Sequence, residues 1–327
     1  MRNPEKTESE RTSHASAQLR TKPVLLLTVV VAVLGVVTFV ELPGNRMYTR
    51  VIQDFGHVPA FAMVTWCLLG LLGRRKSRNY LVAAGLAVLL GAAVEIVQSF
   101  TGGDASLADL WRDTLGATSA ASFAWLVSRS DAPITVRNTA VPAVIVAIAL
   151  VLALLPVAEC SRAYRHRNAL FPVLADFSSR FDTYLLRSTD PPFRRVSISP
   201  APDGSPRGAL IVPYSGATWP GVVFEEPIRN WSVFDYLAVD IYNPGKTAER
   251  IVIGIHDATY DGSADDRFTA WYEIGGGTRR ILRIPLQQVR DAPRRRKLDL
   301  RNIGRLAIAH IRNQPADPFI LYKVWLE

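Results

Sequence analysis

Apolar residues gather into long charge-free runs in the first half of the chain and into short stretches punctuated by turn residues in the second. The first pattern predicts helices that cross a bilayer. In lipid a helix satisfies its own backbone, and about 20 apolar residues are needed to span. Pro23 to Val40 carries no charge and predicts an uncleaved signal anchor. Further spans are expected from near Gly56 to Gly73, Tyr80 to Phe100, Ala108 to Val127 and Thr139 to Ala158. The fourth of these five is the least apolar, with three charges in its first turns and a middle of Ala, Ser and Thr. Met1 to Lys22 is polar, without apolar periodicity, and predicts a disordered cytoplasmic tail.

The second pattern predicts strands. Candidates are Ala209 to Val212, Gly221 to Phe224, Tyr236 to Tyr242, Arg250 to His256, Phe268 to Ile274, Arg280 to Ile284, Arg305 to Ile311 and Phe319 to Leu326. Asn243-Pro244-Gly245, Asp261-Gly262-Ser263 and Gly275-Gly276-Gly277 are turn signatures between them. Leu237 to Tyr242 alternates with period two, as a half-buried strand does. The expected fold is therefore multi-domain: an α-helical transmembrane bundle of five spans followed by an all-β sandwich, a jelly roll. Its parts are the tail (1–22), the membrane region (23–158, with a motif block at 50–127), a juxtamembrane connection (159–208) that includes a candidate amphipathic stretch at Leu170 to Leu174, and the sandwich (209–327).

Charge fixes an orientation. Arg74, Arg75, Lys76 and Arg78 crowd one short loop, and Arg129 and Arg137 another. The positive-inside rule places these loops and the N-terminus on the cytoplasmic side of the membrane and everything after Glu159 outside. The formal net charge of +9 is partly topological. Cys67 and Cys160 fall at different expected depths and form no disulfide framework.

With that orientation, three helix ends deliver polar groups to the outer leaflet: Asp54 and His57, Glu95 and Gln98, and Ser106, Asp109, Arg112 and Asp113. Ionisable groups at the ends of spans are functional candidates. Asp109, Arg112, Asp113 and Gly116 share one helical stripe, and Ala87 with Gly91 and Gly116 with Ala120 would permit close helix packing. The pattern Asp-x-x-His at a span start, Glu-x-x-Gln-x-Phe at a span end and Ser-x-x-Asp-x-x-x-(Asn/Asp)-x-x-Gly opening the next resembles the VanZ-like family, whose namesake is linked to low-level teicoplanin resistance. The match covers about Arg50 to Val127, on Asp54, His57, Glu95, Gln98, Ser106, Asp109 and Gly116. Phe55, Asp104 and Asp113 depart from it where the family has Lys, Arg and Asn.

In the second half, Trp219-Pro220-Gly221-Val222, Asn230-Trp231-Ser232, Leu237 to Pro244, Ile255-His256-Asp257, Asp266-Arg267-Phe268 and Ile284-Pro285-Leu286 are similar to the galactose-binding-like jelly rolls that serve as carbohydrate-binding modules. The resemblance implies a sugar ligand. Candidates to contact it are the aromatic rings of Trp219, Tyr260, Trp271 and Tyr272, with Asp257, Asp261, Asp266 and Arg267 bonding hydroxyls. The plainer alternative makes Asp261, Asp265 and Asp266 turn formers and Asp266 with Arg267 a structural ion pair. The run Arg294 to Lys297 is expected as a solvated loop. The last strand lacks the acid that holds a structural Ca²⁺ in such modules, so no metal and no cofactor is expected.

Two functions follow. The first is a non-catalytic envelope protein: the sandwich recognises a cell-envelope glycan or glycolipid and the bundle anchors it in the lipid bilayer. The second is a membrane enzyme acting on a lipid-linked or glycan substrate, with Glu95, Asp109 and His57 as acid/base groups. A domain outside the cell makes nucleic acid an unsuitable partner.

Overall fold

The computed structural model describes residues 4–40, 42, 46–101, 106–128, 136–188, 198–200, 208–213, 220–311 and 317–327, and the side chains of all of these except 4–21, 136–138 and 198–200. The chain divides into two compact units, Met1–Glu159 and Cys160–Glu327.

The first unit is helical: α1 (Pro4–Phe39), α2 (Met47–Leu72), α3 (Ser77–Thr101), α4 (Leu107–Ser128) and most of α5 (Val136–Leu170). The backbone of α1 is helical from Pro4, so the stretch expected as a disordered tail belongs to the helix. Four segments among the described residues are long and apolar enough to cross a membrane: Lys22–Phe39, Met47–Leu72, Ser77–Thr101 and Thr139–Leu170. The expected count of five is thus not reached. Helix α4 falls short because Asp109, Arg112 and Asp113 stand in its first two turns and Thr114, Thr118, Ser119 and Ser122 dilute the rest.

Small residues bring these helices close. Ala87, Gly91, Gly116, Ala117, Ala120 and Ala124 are buried. A Cβ at Gly116 would lie 2.3 Å from the Val58 carbonyl oxygen, so α4 crosses α2 backbone to backbone. Phe61, Val64 and Cys67 of α2 pack with Val30 of α1, Ala87 of α3 and Ala117 of α4. Tyr80 packs edge-on against Trp125, 5.2 Å between centroids. Leu81 and Leu89 of α3 and Val144, Ile148 and Val151 of α5 point outward, as lipid-facing side chains do. At the other end of α2, the Asn79 side-chain amide donates to the Leu72 and Gly73 carbonyls and supplies partners that a helix C-terminus lacks.

The second unit is a sandwich of two antiparallel sheets. Its strands are β1 (Val173–Ala175), β2 (Leu186–Ser188), β3 (Ile198–Pro200), β4 (Gly208–Val212), β5 (Gly221–Phe224), β6 (Tyr236–Asn243), β7 (Glu249–Asp257), β8 (Phe268–Ile274), β9 (Thr278–Pro285), β10 (Ile303–His310) and β11 (Phe319–Leu326), with a short helix α6 (Leu286–Asp291). One sheet runs β3-β4-β11-β6-β9, with β1 also on β11; the other runs β2-β5-β10-β7-β8. All eight expected strands are present. The sandwich also starts earlier than expected: α5 continues to Leu170, and Val173–Ala175 is a strand on β11, so the Leu170 to Leu174 stretch is not an amphipathic helix.

Inward-facing positions of both sheets, such as Leu237, Val239 and Ile241 facing Ile251, Ile253 and Ile255, form one core, closed at an end by Trp231, Leu286, Val289 and Leu298. Each fully buried aliphatic side chain contributes on the order of 1.5–3 kcal/mol. The last turns of α5 are tied to this unit: Tyr164 donates to Glu226 Oε2 (2.5 Å), Arg167 donates to the Glu226 carbonyl (2.8 Å), and His166 Nε2 lies 2.7 Å from Asp182 Oδ1. Cys67 and Cys160 are buried and unbridged.

Candidate functional site

The polar residues of the first unit meet at one end of its helices. Asp54 and His57 lie one turn apart on α2, and Asp109, Arg112 and Asp113 lie on one stripe of α4. Arg112 bridges the two helices, donating to Asp54 Oδ2 (2.8 Å) and to Asp109. His57 Nδ1 is 2.9 Å from Oδ1 of Asp113, whose side chain is fully buried. Because a carboxylate only accepts, Nδ1 is the donor, and the ring is held by that bond. Glu95 reaches from α3 to accept the Ser106 amide (2.6 Å), while Ser106 Oγ caps α4 by accepting the Ala108 amide. Glu95 Oε1 and Asp113 Oδ2 are buried without a hydrogen-bond partner among the described residues. Gln98, one turn beyond Glu95, is half-exposed. Asp104 lies outside the described residues. Charge pairing and capping therefore absorb most of this cluster's polar atoms.

In the sandwich, the sequence candidates separate into two groups. Asp257 and Asp266 are gripped by a residue that sequence reasoning assigned to a solvated loop, Arg296. Its guanidinium donates to both oxygens of Asp257 (2.5 and 2.9 Å) and both of Asp266 (2.5 and 2.9 Å). Asp257 also accepts from the Asp299 amide and from the Thr259 amide and hydroxyl. The partner of Asp266 is thus Arg296 and not its neighbour Arg267. Asp261 caps a turn, accepting the Ser263 amide at 2.7 Å. This clasp joins the end of β7 to the loops on either side, and its carboxylates have no oxygen to spare for a ligand.

Burial alone would raise the Asp257 carboxyl, but the hydrogen bonds from Arg296, Asp299 and Thr259 outweigh it and hold its pKa at about 2. A folded-state pKa below the unfolded value of about 3.9 stabilises the fold at higher pH and is lost as pH falls through the folded value. Urea unfolding should therefore show a contribution of about 2.5 kcal/mol that is complete above pH ~4 and gone near pH ~2, and Asp257→Asn should remove that slope.

The remaining candidates lie on or beside the outer face of the β2-β5-β10-β7-β8 sheet, where register shows what sequence could not. One row across this face reads Arg187, Val223, Ala307, Gly254, Thr269. The next reads Gly221, Ala309, Val252, Trp271. On the opposite side lie Arg305 and His256. Small side chains thus floor a trough that runs across the strands. Trp271, 67 % exposed, forms one wall. The other is His256 with Tyr260 stacked on it, 4.4 Å between ring centroids and 23° between planes. Burial, aided by the charges of Arg305 and Arg267, lowers the His256 pKa and keeps its ring neutral at pH 7. Arg187 and Arg305 at the trough's end share Glu225, at 2.9 and 3.6 Å. Tyr272 alternates inward and packs on the core, with burial pushing its hydroxyl up. Arg267 is half-buried beside His256, its Nε without a hydrogen-bond partner among the described residues. Trp219 lies outside the described residues.

The outer face of the other sheet also carries rings, Tyr236, Tyr242, Tyr322 and Trp325, but its polar groups serve one another. Arg279 pairs both Asp240 oxygens and covers the Tyr322 ring at 3.8 Å. Glu327 accepts from Arg283 and Trp325.

No family model and no curated protein matches this chain. Among solved structures the sandwich resembles carbohydrate-binding modules. A family 11 module from Clostridium thermocellum, solved with a β-1,3-1,4-mixed-linked tetrasaccharide, is 21% identical, with 47% of this chain and 93% of that one covered and a TM-score of 0.37. A family 28 module specific for non-crystalline cellulose is 17% identical over 48% of this chain and 93% of that one, with a TM-score of 0.34. An exo-β-agarase is 15% identical over 47% of this chain and 24% of that one, with a TM-score of 0.38. These are likenesses of fold.

Proposed function

We propose that this chain is a membrane-anchored envelope protein whose sandwich binds a carbohydrate outside the cell. The observation that carries the proposal is the trough. It pairs an open aromatic wall at Trp271 and a neutral aromatic wall at His256 and Tyr260 with a floor of small side chains, so that a sugar ring can lie against the CH-binding face of an aromatic. Thr269, Arg187, Arg305 and Glu225 at its margins supply donors and acceptors for hydroxyls.

The membrane part of the reading has five spans, with α4 as the fourth. Its low apolarity suits a helix that faces protein on several sides, because Asp109, Arg112 and Asp113 meet partners from within the helical unit and Ala117, Ala121 and Ala124 are buried. Five spans with the Arg74 to Arg78 loop inside put the sandwich outside. The convergence of Asp54, His57, Glu95, Ser106 and Asp109 at one end also supports the VanZ-like reading of 50–127, and that resemblance is what suggests a role in envelope-stress or antibiotic resistance.

Removing the exposed wall should abolish recognition. In pull-downs of detergent-solubilised full-length protein on purified cell-wall polysaccharide, Trp271→Ala should lower retention at least tenfold, equivalent to about 1.4 kcal/mol, while the melting temperature stays within a degree or two. Unchanged retention would remove the trough from the account.

A further inference from the structure

A groove runs between α1 and α2, walled by Val33, Val37 and Val40 on one side and Ile52, Ala60 and Met63 on the other, with a volume of about 530 Å³. That volume lies within the roughly 300–1,000 Å³ of small-molecule sites. Its lining extends over about 16 Å of α2 at 1.5 Å per residue, close to the ~15 Å of one hydrocarbon leaflet. The groove is open at Gly56, where a Cβ would meet nothing within 4 Å. Only two lining residues, Gln53 and His57, have strongly polar side chains. Gln53 Oε1 accepts the Leu42 amide (3.1 Å), which turns its polar contacts to a ligand over to its NH₂ donors. His57 is engaged at Nδ1 by Asp113, so any polar contact it makes in the groove goes through Nε2.

We infer that this groove is a lipid site: it holds one aliphatic chain of a bilayer lipid, with the lipid's phosphate or ester oxygen at Gln53 and His57. The lining is aliphatic elsewhere, Val33, Val36, Val37, Val40, Ile52 and Met63 among it, and runs along the helix axes for about the depth of one leaflet, so a hydrocarbon chain lying along α1 and α2 matches it in chemistry and in length. Water placed along an apolar concavity of this kind would lack the polar partners it needs. The Gln53 amide complements the acceptor-rich linkage that every glycerolipid carries, and His57 Nε2 joins it as donor when the ring is protonated. Asp113 acts on this site through His57 as a positioning residue. The inference rests on the reading that α1 and α2 cross the bilayer, and the test separates the two.

Full-length protein is reconstituted into vesicles of phosphatidylethanolamine and phosphatidylglycerol doped with phosphatidylcholine bearing a photoactivatable diazirine in one acyl chain. Flotation comes first: a chain that does not float with the vesicles overturns the membrane reading and this inference with it. After irradiation, mass spectrometry should find adducts on residues 32–40 and 52–63 at about five times the level on the convex α3 face around Leu81 and Leu89, a bias of about 1 kcal/mol. Gly56→Leu should remove the excess and leave the α3 adducts unchanged. Met63→Trp, at a half-exposed position at the far end of the groove, should shorten the adduct pattern even where Gly56→Leu does not fold. Equal labelling of groove and α3 face in the wild type, or groove labelling untouched by both substitutions, overturns the inference.

Discussion

Arg296→Met should destabilise the sandwich by about 3–5 kcal/mol at pH 7, because it leaves a fully buried carboxylate without its countercharge. Asp257 retains three donors from Asp299 and Thr259, but these do not neutralise it. For a unit of this size the loss corresponds to a drop of about 10 °C in melting temperature. The pH dependence distinguishes this from a loss of packing. Without Arg296, burial raises the folded-state pKa of Asp257 above its unfolded value, so the variant gains stability as pH falls through that raised value, while the wild type loses its own increment. The gap between the two should therefore narrow from pH 7 to pH 3 in differential scanning fluorimetry of the full chain. A difference below about 1 kcal/mol at pH 7, or one that does not change with pH, would show that the clasp is dispensable.

The second large effect belongs to the helical unit. Gly116→Val should prevent α4 from seating on α2. The new Cβ would meet the Val58 carbonyl oxygen at 2.3 Å and the Ala62 amide nitrogen at 3.1 Å. Both are backbone atoms that cannot rotate aside, so the penalty should exceed the roughly 1–3 kcal/mol of ordinary overpacking. Separation of the two helices would also break the Arg112 to Asp54 and His57 to Asp113 bonds between them. Size-exclusion chromatography of the solubilised variant should show the monodisperse peak nearly lost, whereas Gly56→Ala, which meets open space, should behave as wild type. A normal peak for Gly116→Val would mean that the helices do not touch at this point.

Much of the architecture was legible in the chain. Period-two alternation in Leu237 to Tyr242 and the turns at Asn243-Pro244-Gly245 and Gly275 to Gly277 locate β6 and β9 almost to the residue. The three-residue strands β1, β2 and β3 were not legible, because a run that short has no periodicity and forms only by pairing with longer partners. The polar cluster of the helices was visible as spacing, since Asp54 with His57 and Asp109 with Asp113 fall on helical stripes, and folding places these stripes side by side. Helix α4 reads as the least apolar of the long helices because hydropathy measures a preference for lipid, and this helix turns Gly116, Ala117 and Ala120 to its neighbours.

The sandwich site was legible only in part. Trp271 and Tyr260 stood out as aromatics among polar residues. The floor at Gly254 and Ala307 is defined by what is absent, and it exists only once Gly254 is in register with Ala307 on one side and Thr269 on the other. Arg296 hid in a basic run because its partners lie 30 and 39 residues away in sequence. The acidity that makes Asp257 and Asp266 resemble ligand groups in the sequence is engaged by that arginine in the fold.

Isothermal calorimetry of the detergent-solubilised full chain with soluble envelope oligosaccharides, peptidoglycan fragments and β-linked glucans among them, tests the central claim most directly. The account predicts saturable binding to at least one of these glycans, lost in Trp271→Ala and retained in Trp325→Ala on the opposite sheet. Absence of heat with every glycan, or loss in Trp325→Ala but not in Trp271→Ala, would contradict it.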